Sequence, residues 1–86
     1  MSKSKDIIHK LGQLNKEILL ADGFDKALIG IGQIYNKSIA VYDRQKVIDI
    51  IINDFGTNID DAEDYFNFNV VGAYVGEYTP VFVELF

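Results

Sequence analysis

The chain has 86 residues, of which 49% are hydrophobic and 24% charged, and a net charge of −5. That length gives one domain, residues 1–86, which buries only about 60–65% of its unfolded surface, and the apolar fraction excludes a disordered chain. Cysteine is absent, which excludes disulfides, a thiolate zinc site and a cysteine nucleophile, and suits a reducing cytoplasm.

Charge is unevenly laid out. Residues 1–46 hold all eight lysines and arginines, with five acids. Residues 47–86 hold eight acids and no base. This asymmetry predicts a polarised surface whose acidic side repels nucleic-acid phosphates, so direct nucleic-acid binding is not expected. A basic surface on a partner suits it better. No apolar stretch follows the polar start Met1–Lys5, so no signal peptide is expected. Apolar runs such as Ile18–Ala21 and Ile50–Ile52 are too short to span a bilayer, which sets membrane insertion aside.

The first element is an amphipathic helix over 4–20. Ile7, Ile8, Leu11, Leu14, Ile18 and Leu19 recur at helical spacing, Ser4 caps the start, and Gly23 stops the chain beyond it. The α+β core then runs over 24–86. Ala27–Gly32 reads as a strand whose Gly30 and Gly32 mark a bulge or a close backbone approach. Ile39–Tyr42 reads as a second strand, joined to the first by a hairpin loop at Tyr35, Asn36, Lys37 and Ser38.

Asp43 caps a helix over 44–55 that Gly56 ends, although the β-branched run Ile50–Ile52 also fits a strand. Asn58 with Asp61 resembles a capping box. Ala62, Tyr65, Phe66, Asn69, Val70 and Ala73 continue at helical spacing, Gly72 interrupts, and Gly76 closes the helix. Thr79–Pro80 introduces a last strand, Val81–Leu85, placed on a sheet edge. The order α-β-β-α-α-β predicts an α+β fold, with about three antiparallel strands covered by helices on one face. Phe82, Leu85 and Phe86 on that edge admit pairing as a homo-oligomer.

Catalytic patterns are missing. The single histidine, His9, falls on the polar flank of the first helix. Asp60, Asp61, Glu63 and Asp64 gather at a helix start, where the dipole stabilises acids, and no Gly-bearing loop wraps around them. Gly30-Ile31-Gly32 lacks the spacing and the Lys-Ser/Thr ending of a phosphate loop. No metal and no cofactor is therefore expected. The tyrosines are more informative. Tyr35, Tyr74 and Tyr78 fall in loops or at element ends, where contact surfaces collect, whereas Tyr65, Phe66 and Phe68 read as core. The binding surface is expected at Tyr74, Gly76, Glu77, Tyr78 and Thr79, with Tyr42 and Asp43.

Two segments carry a resemblance. Asp22, Gly23, Phe24, Ala27, Leu28 and Gly30 form DGF-x-x-AL-x-G, and Val41, Tyr42 and Asp43 follow before a helix. Asp61 and Ala62 then lead to Phe68, Asn69, and a closing run Gly72, Ala73, Tyr74, Val75, Gly76, Glu77, Thr79 and Pro80. Over roughly residues 22–83 the chain resembles a family of small proteins of tailed bacteriophages and prophages. The resemblance implies a phage or prophage origin and brings no activity and no functional residue with it.

The combined reading is a non-enzymatic phage accessory protein in the bacterial host cytoplasm, which binds and inhibits a host protein as a counter-defence factor. Two alternatives stay open. One is a protein that sequesters a nucleotide signal, drawing on Lys37, Arg44 or Lys46. The other is a small acid-dependent enzyme using Asp60, Asp64 or Glu77.

Overall fold

The computed structural model describes residues 3–73 and 76–86. Helix α1 spans Lys3–Leu14, strand β1 Leu28–Ile34, strand β2 Lys37–Asp43, helix α2 Arg44–Phe55, helix α3 Ile59–Tyr65 and strand β3 Val81–Val83. A short 3-10 turn, Asp25–Ala27, precedes β1, and α3 runs on through a π-helical turn, Phe66–Val70, into a 3-10 turn, Val71–Ala73. The fold class is α+β, as the sequence predicts.

The first helix ends six residues before its predicted end at residue 20. The Asn15 side chain accepts the Glu17 N–H at 2.9 Å, a local bond that competes with helical continuation. The apolar residues beyond it still serve the core, but as an irregular strap. The Leu19 N–H donates to the Tyr78 carbonyl at 3.1 Å, and the Ala21 N–H to the Tyr42 hydroxyl at 2.8 Å. Tertiary partners thus replace the helical bonds these groups would otherwise make.

β1 and β2 form the predicted antiparallel hairpin, but the loop is two residues, Tyr35 and Asn36, because Ile34 pairs with Lys37. Tyr35 stands in the left-handed region at φ 55 with its side chain 91% exposed. Both expectations for the β1 glycines are met. The register shifts between Leu28 and Gly30, which is a bulge, and a Cβ on Gly32 would come within 2.9 Å of Val41 Cγ2. Gly32 therefore lets β1 lie close against the branched residues of β2.

The sheet order is β1-β2-β3, and β3 is an edge strand as expected. One correction concerns its direction. β3 runs parallel to β2, with Val41 opposite Val81 and Asp43 opposite Val83, so the sheet is mixed and not antiparallel throughout. A parallel neighbour needs a long crossover, and α2 and α3 supply it. Two helices between consecutive strands carry that signal in the sequence itself. The strand is also shorter than predicted, ending at Val83.

Helix α2 settles the ambiguity of residues 50–52 in favour of helix. Asp43 caps it by accepting the Gln45 and Lys46 N–H groups at 3.0 and 3.3 Å. Gly56 ends it at φ 62, donating its N–H to the Ile52 carbonyl. Asn58 caps α3 by accepting the Asp61 N–H at 2.9 Å. Asp61 does not complete a reciprocal box; its carboxylate accepts from the Thr57 hydroxyl at 3.2 Å.

One core holds these pieces together. Leu28, Ala40 and Tyr42 present one sheet face to Leu11 of α1, to Val47, Ile48 and Ile51 of α2, and to Ala62, Phe66 and Val70 of the α3 run. The opposite face carries Ile39 and Val41 beside Gly32. Phe68 and Tyr65 do not join the core as predicted. Burial at Ala62, Phe66 and Val70 follows a four-residue period, which turns Phe68 outward.

Replacing Gly32 by Ala is expected to cost about 1–3 kcal/mol of stability through overpacking against Val41. Gly30→Ala meets no atom within 4 Å and is expected to change stability by less than about 1 kcal/mol. Chemical denaturation of the two variants measures the contrast.

Candidate functional site

The residues singled out from the sequence as a binding surface do not form one patch. Tyr42 and Asp43 end β2, while Lys37 begins it, about 20 Å away at about 3.3 Å per residue. Glu77 sits at the Lys37 end, with its carboxylate 3.1 Å from the Lys37 ammonium. The parallel pairing of Val81–Val83 with Val41–Asp43 sets the direction of the chain that leads from Glu77 to β3. Tyr42 and Glu77 therefore stand at opposite ends of the sheet.

Tyr42, Asp43, Glu77 and Tyr78 also have structural partners. Tyr42 is 0% exposed, so its side chain presents nothing to a ligand. Its hydroxyl accepts the Ala21 N–H, and its ring tilts against Phe82 at 5.5 Å between centroids. Asp43 is buried as the α2 cap. Gly76 occupies φ 108 in an exposed turn, Tyr78 is half-buried with its carbonyl holding the Leu19 N–H, and Thr79 is half-buried. Tyr74 lies outside the described residues.

β3 is secured by its ring contacts. Phe82 meets Tyr42 on one side and Phe66 edge-to-face at 5.1 Å on the other. The Arg44 guanidinium lies 5.1 Å above the Phe66 ring and 3.5 Å from the Glu84 carboxylate. Arg44 is thereby committed to joining α2, the π-helical turn and the end of β3.

An exposed aromatic and acidic surface lies elsewhere, on the C-terminal end of α2 and on α3. Phe55 and Tyr65 pack edge-to-face at 4.8 Å, and both remain open to solvent. Phe68, 79% exposed, projects from the π-helical turn. Asp60, Asp64 and Phe68 recur at four-residue spacing on the helical face opposite Ala62 and Phe66, with Asp54 beside Phe55. π-helical turns recur at functional sites, and this one sets the direction of Phe68. The sequence carries a signal for it: Phe68 is flanked by Asn67 and Asn69, both exposed, and is out of phase with the buried positions.

Among the described residues no group of three or more His, Asp or Glu side chains gathers as a metal site. His9 is exposed, with its Nε2 3.2 Å from the Gln13 amide nitrogen. No helix among the described residues is long and apolar enough to cross a membrane. Comparison with family models, with curated proteins and with solved structures finds no match to this chain.

Tyr42→Phe is expected to cost about 1–3 kcal/mol, because it leaves the buried Ala21 N–H without its acceptor. Equilibrium denaturation checks this, and loss of hydrogen-exchange protection at Ala21 would locate the effect in the strap.

Proposed function

We propose that the protein works without catalysis, by docking its α2–α3 face on a basic surface of a partner protein and occluding it. The exposure of Phe68 and of the Phe55–Tyr65 pair among Asp54, Asp60 and Asp64 carries the reading. Large aromatic side chains make efficient anchors at protein interfaces, and a rim of carboxylates selects a basic partner. The ordinary alternative for exposed acids, solubility alone, does not account for three aromatic rings left open among them.

The resemblance to phage proteins makes a host enzyme in the bacterial cytoplasm the expected target, with counter-defence as the purpose. Basic surfaces that bind nucleic acid are natural targets for such a face, since its carboxylates occupy positions that phosphates would take. The carboxylates proposed for acid-dependent chemistry have other work: Glu77 pairs with Lys37, and Asp60 lies in the first turn of α3.

Affinity capture from bacterial lysate tests the reading. The wild-type protein is expected to retain a specific host protein at low salt and release it at high salt. Phe68→Ala and the pair Asp60→Lys with Asp64→Lys are expected to abolish retention, whereas Lys16→Ala, on an exposed site away from this face, leaves it intact. Addition of the wild-type chain to the purified target should inhibit its activity. Retention by all variants alike would overturn the assignment of this face.

A further inference from the structure

The lysines are not spread evenly over the surface. Lys3, Lys5, Lys26 and Lys46 line a single cleft of about 480 Å³, formed by the start of α1, the 3-10 turn before β1, and the start of α2. Asp25 is its acidic lining residue, and Leu28 and Ile29 supply an apolar wall. Among the described residues, neither Lys3, Lys26 nor Lys46 has a carboxylate within ion-pairing distance, whereas Lys37 and Arg44 have theirs.

This arrangement opposes the electrostatics of the fold. Lys3 and Lys5 lie in the first turn of α1, and Lys46 lies in the first turn of α2. The positive end of a helix dipole disfavours cations there, and Asp6 in the first turn of α1 and the Asp43 carboxylate capping α2 offset only part of this. Mutual repulsion of the Lys3, Lys26 and Lys46 ammonium groups around one cleft adds to the strain. Solvation of lysine accounts for exposure but not for convergence of these groups at two helix starts. A bound anion relieves both terms at once.

The cleft has a neighbour. A second hollow of about 420 Å³ shares Asp25 and Lys26 with it and is otherwise lined by Gly23, Ile50, Asn53 and Asp54. Its lining combines an apolar side chain with carboxamide and carboxylate acceptors, and it lacks the lysine cluster. The two together match a ligand with a polyanionic end and an uncharged, hydrogen-bonding end. Both volumes fall in the range of small-ligand sites.

We infer that this double hollow binds a nucleoside polyphosphate, with the phosphates among Lys3, Lys26 and Lys46 and the nucleoside over Ile50 and Asn53. A long nucleic acid fits less well, because the rest of the surface carries the excess acid that would repel its further phosphates. The inference does not rest on the α2–α3 docking face. The lysine cleft lies at the N-terminal end of α2, and only Asp54, at the far edge of the second hollow, is shared with that face.

Titration calorimetry on the full chain tests it, with ATP, tripolyphosphate, adenosine and a single-stranded oligonucleotide as separate probes at low salt. ATP is expected to bind at one site per chain, tripolyphosphate more weakly, and adenosine without detectable heat. Lys26→Gln and Lys46→Gln should each weaken ATP about tenfold, the factor for losing one charge-assisted hydrogen bond, while Lys16→Gln changes nothing. Circular dichroism confirms that the variants fold, and Lys46→Gln should unfold no more easily than wild type without ligand. No heat with ATP or tripolyphosphate overturns the site. Equal affinity for the two overturns the place given to the nucleoside, and tighter binding of the oligonucleotide, growing with its length, overturns the ligand class.

Discussion

Tyr42 joins parts of the chain that are distant in sequence. Its ring closes the core at the end of β2, and its hydroxyl reaches across to the strap that follows α1. Phe82 of β3 rests on the same ring, and Phe66 rests on Phe82. The strap, the hairpin, the crossover helices and the edge strand thus meet through one buried side chain. In a domain this small, few contacts can be spared, so a residue serving four elements bears on the whole fold. Asp43, the next residue, turns the strand into a helix by capping α2. The end of β2 is therefore a structural hub, which explains why these two residues sit together in the sequence without forming a contact surface.

The parallel β3 has consequences for function. It pairs Val81–Val83 with Val41–Asp43, and on either side of it Glu77 pairs with Lys37 and Glu84 with Arg44. These two pairs draw one lysine and the arginine out of the basic half. Lys3, Lys26 and Lys46, from the start of α1, the turn before β1 and the start of α2, line one cleft. The crossover likewise carries α3 past the C-terminal end of α2, where the carboxylates of residues 54–64 gather around exposed rings. Helix α2 consequently has a basic cleft at one end and an acidic, aromatic face at the other. The lysine cleft lies at the start of α2, and the hollow beside it extends to Asp54, which borders the acidic, aromatic face.

Local punctuation was legible in the sequence. Asp43 and Gly56 bracket α2, Asn58 starts α3, and the β1 glycines mark both a bulge and a close approach. Each of these rests on the chemistry of one residue and its immediate neighbours. The extent of the first helix was not legible in the same way. Its apolar period continues past Asn15, and only the acceptors on Tyr42 and Tyr78 make the strap preferable to further helical turns. Phe68 reads as core beside Tyr65 and Phe66, whereas its phase against Ala62 and Phe66 turns it outward.

The sequence by itself determined the α+β class, the element order, the helix caps and the separation of charge between two halves. These depend on periodicity, on side chains that bond within a few residues, and on composition. The tertiary structure decided the direction of β3, the burial of Tyr42, and which charges are neutralised and which converge. Those outcomes depend on register between segments some forty residues apart, as with Lys37 and Glu77, and no local pattern encodes a distance across the sheet.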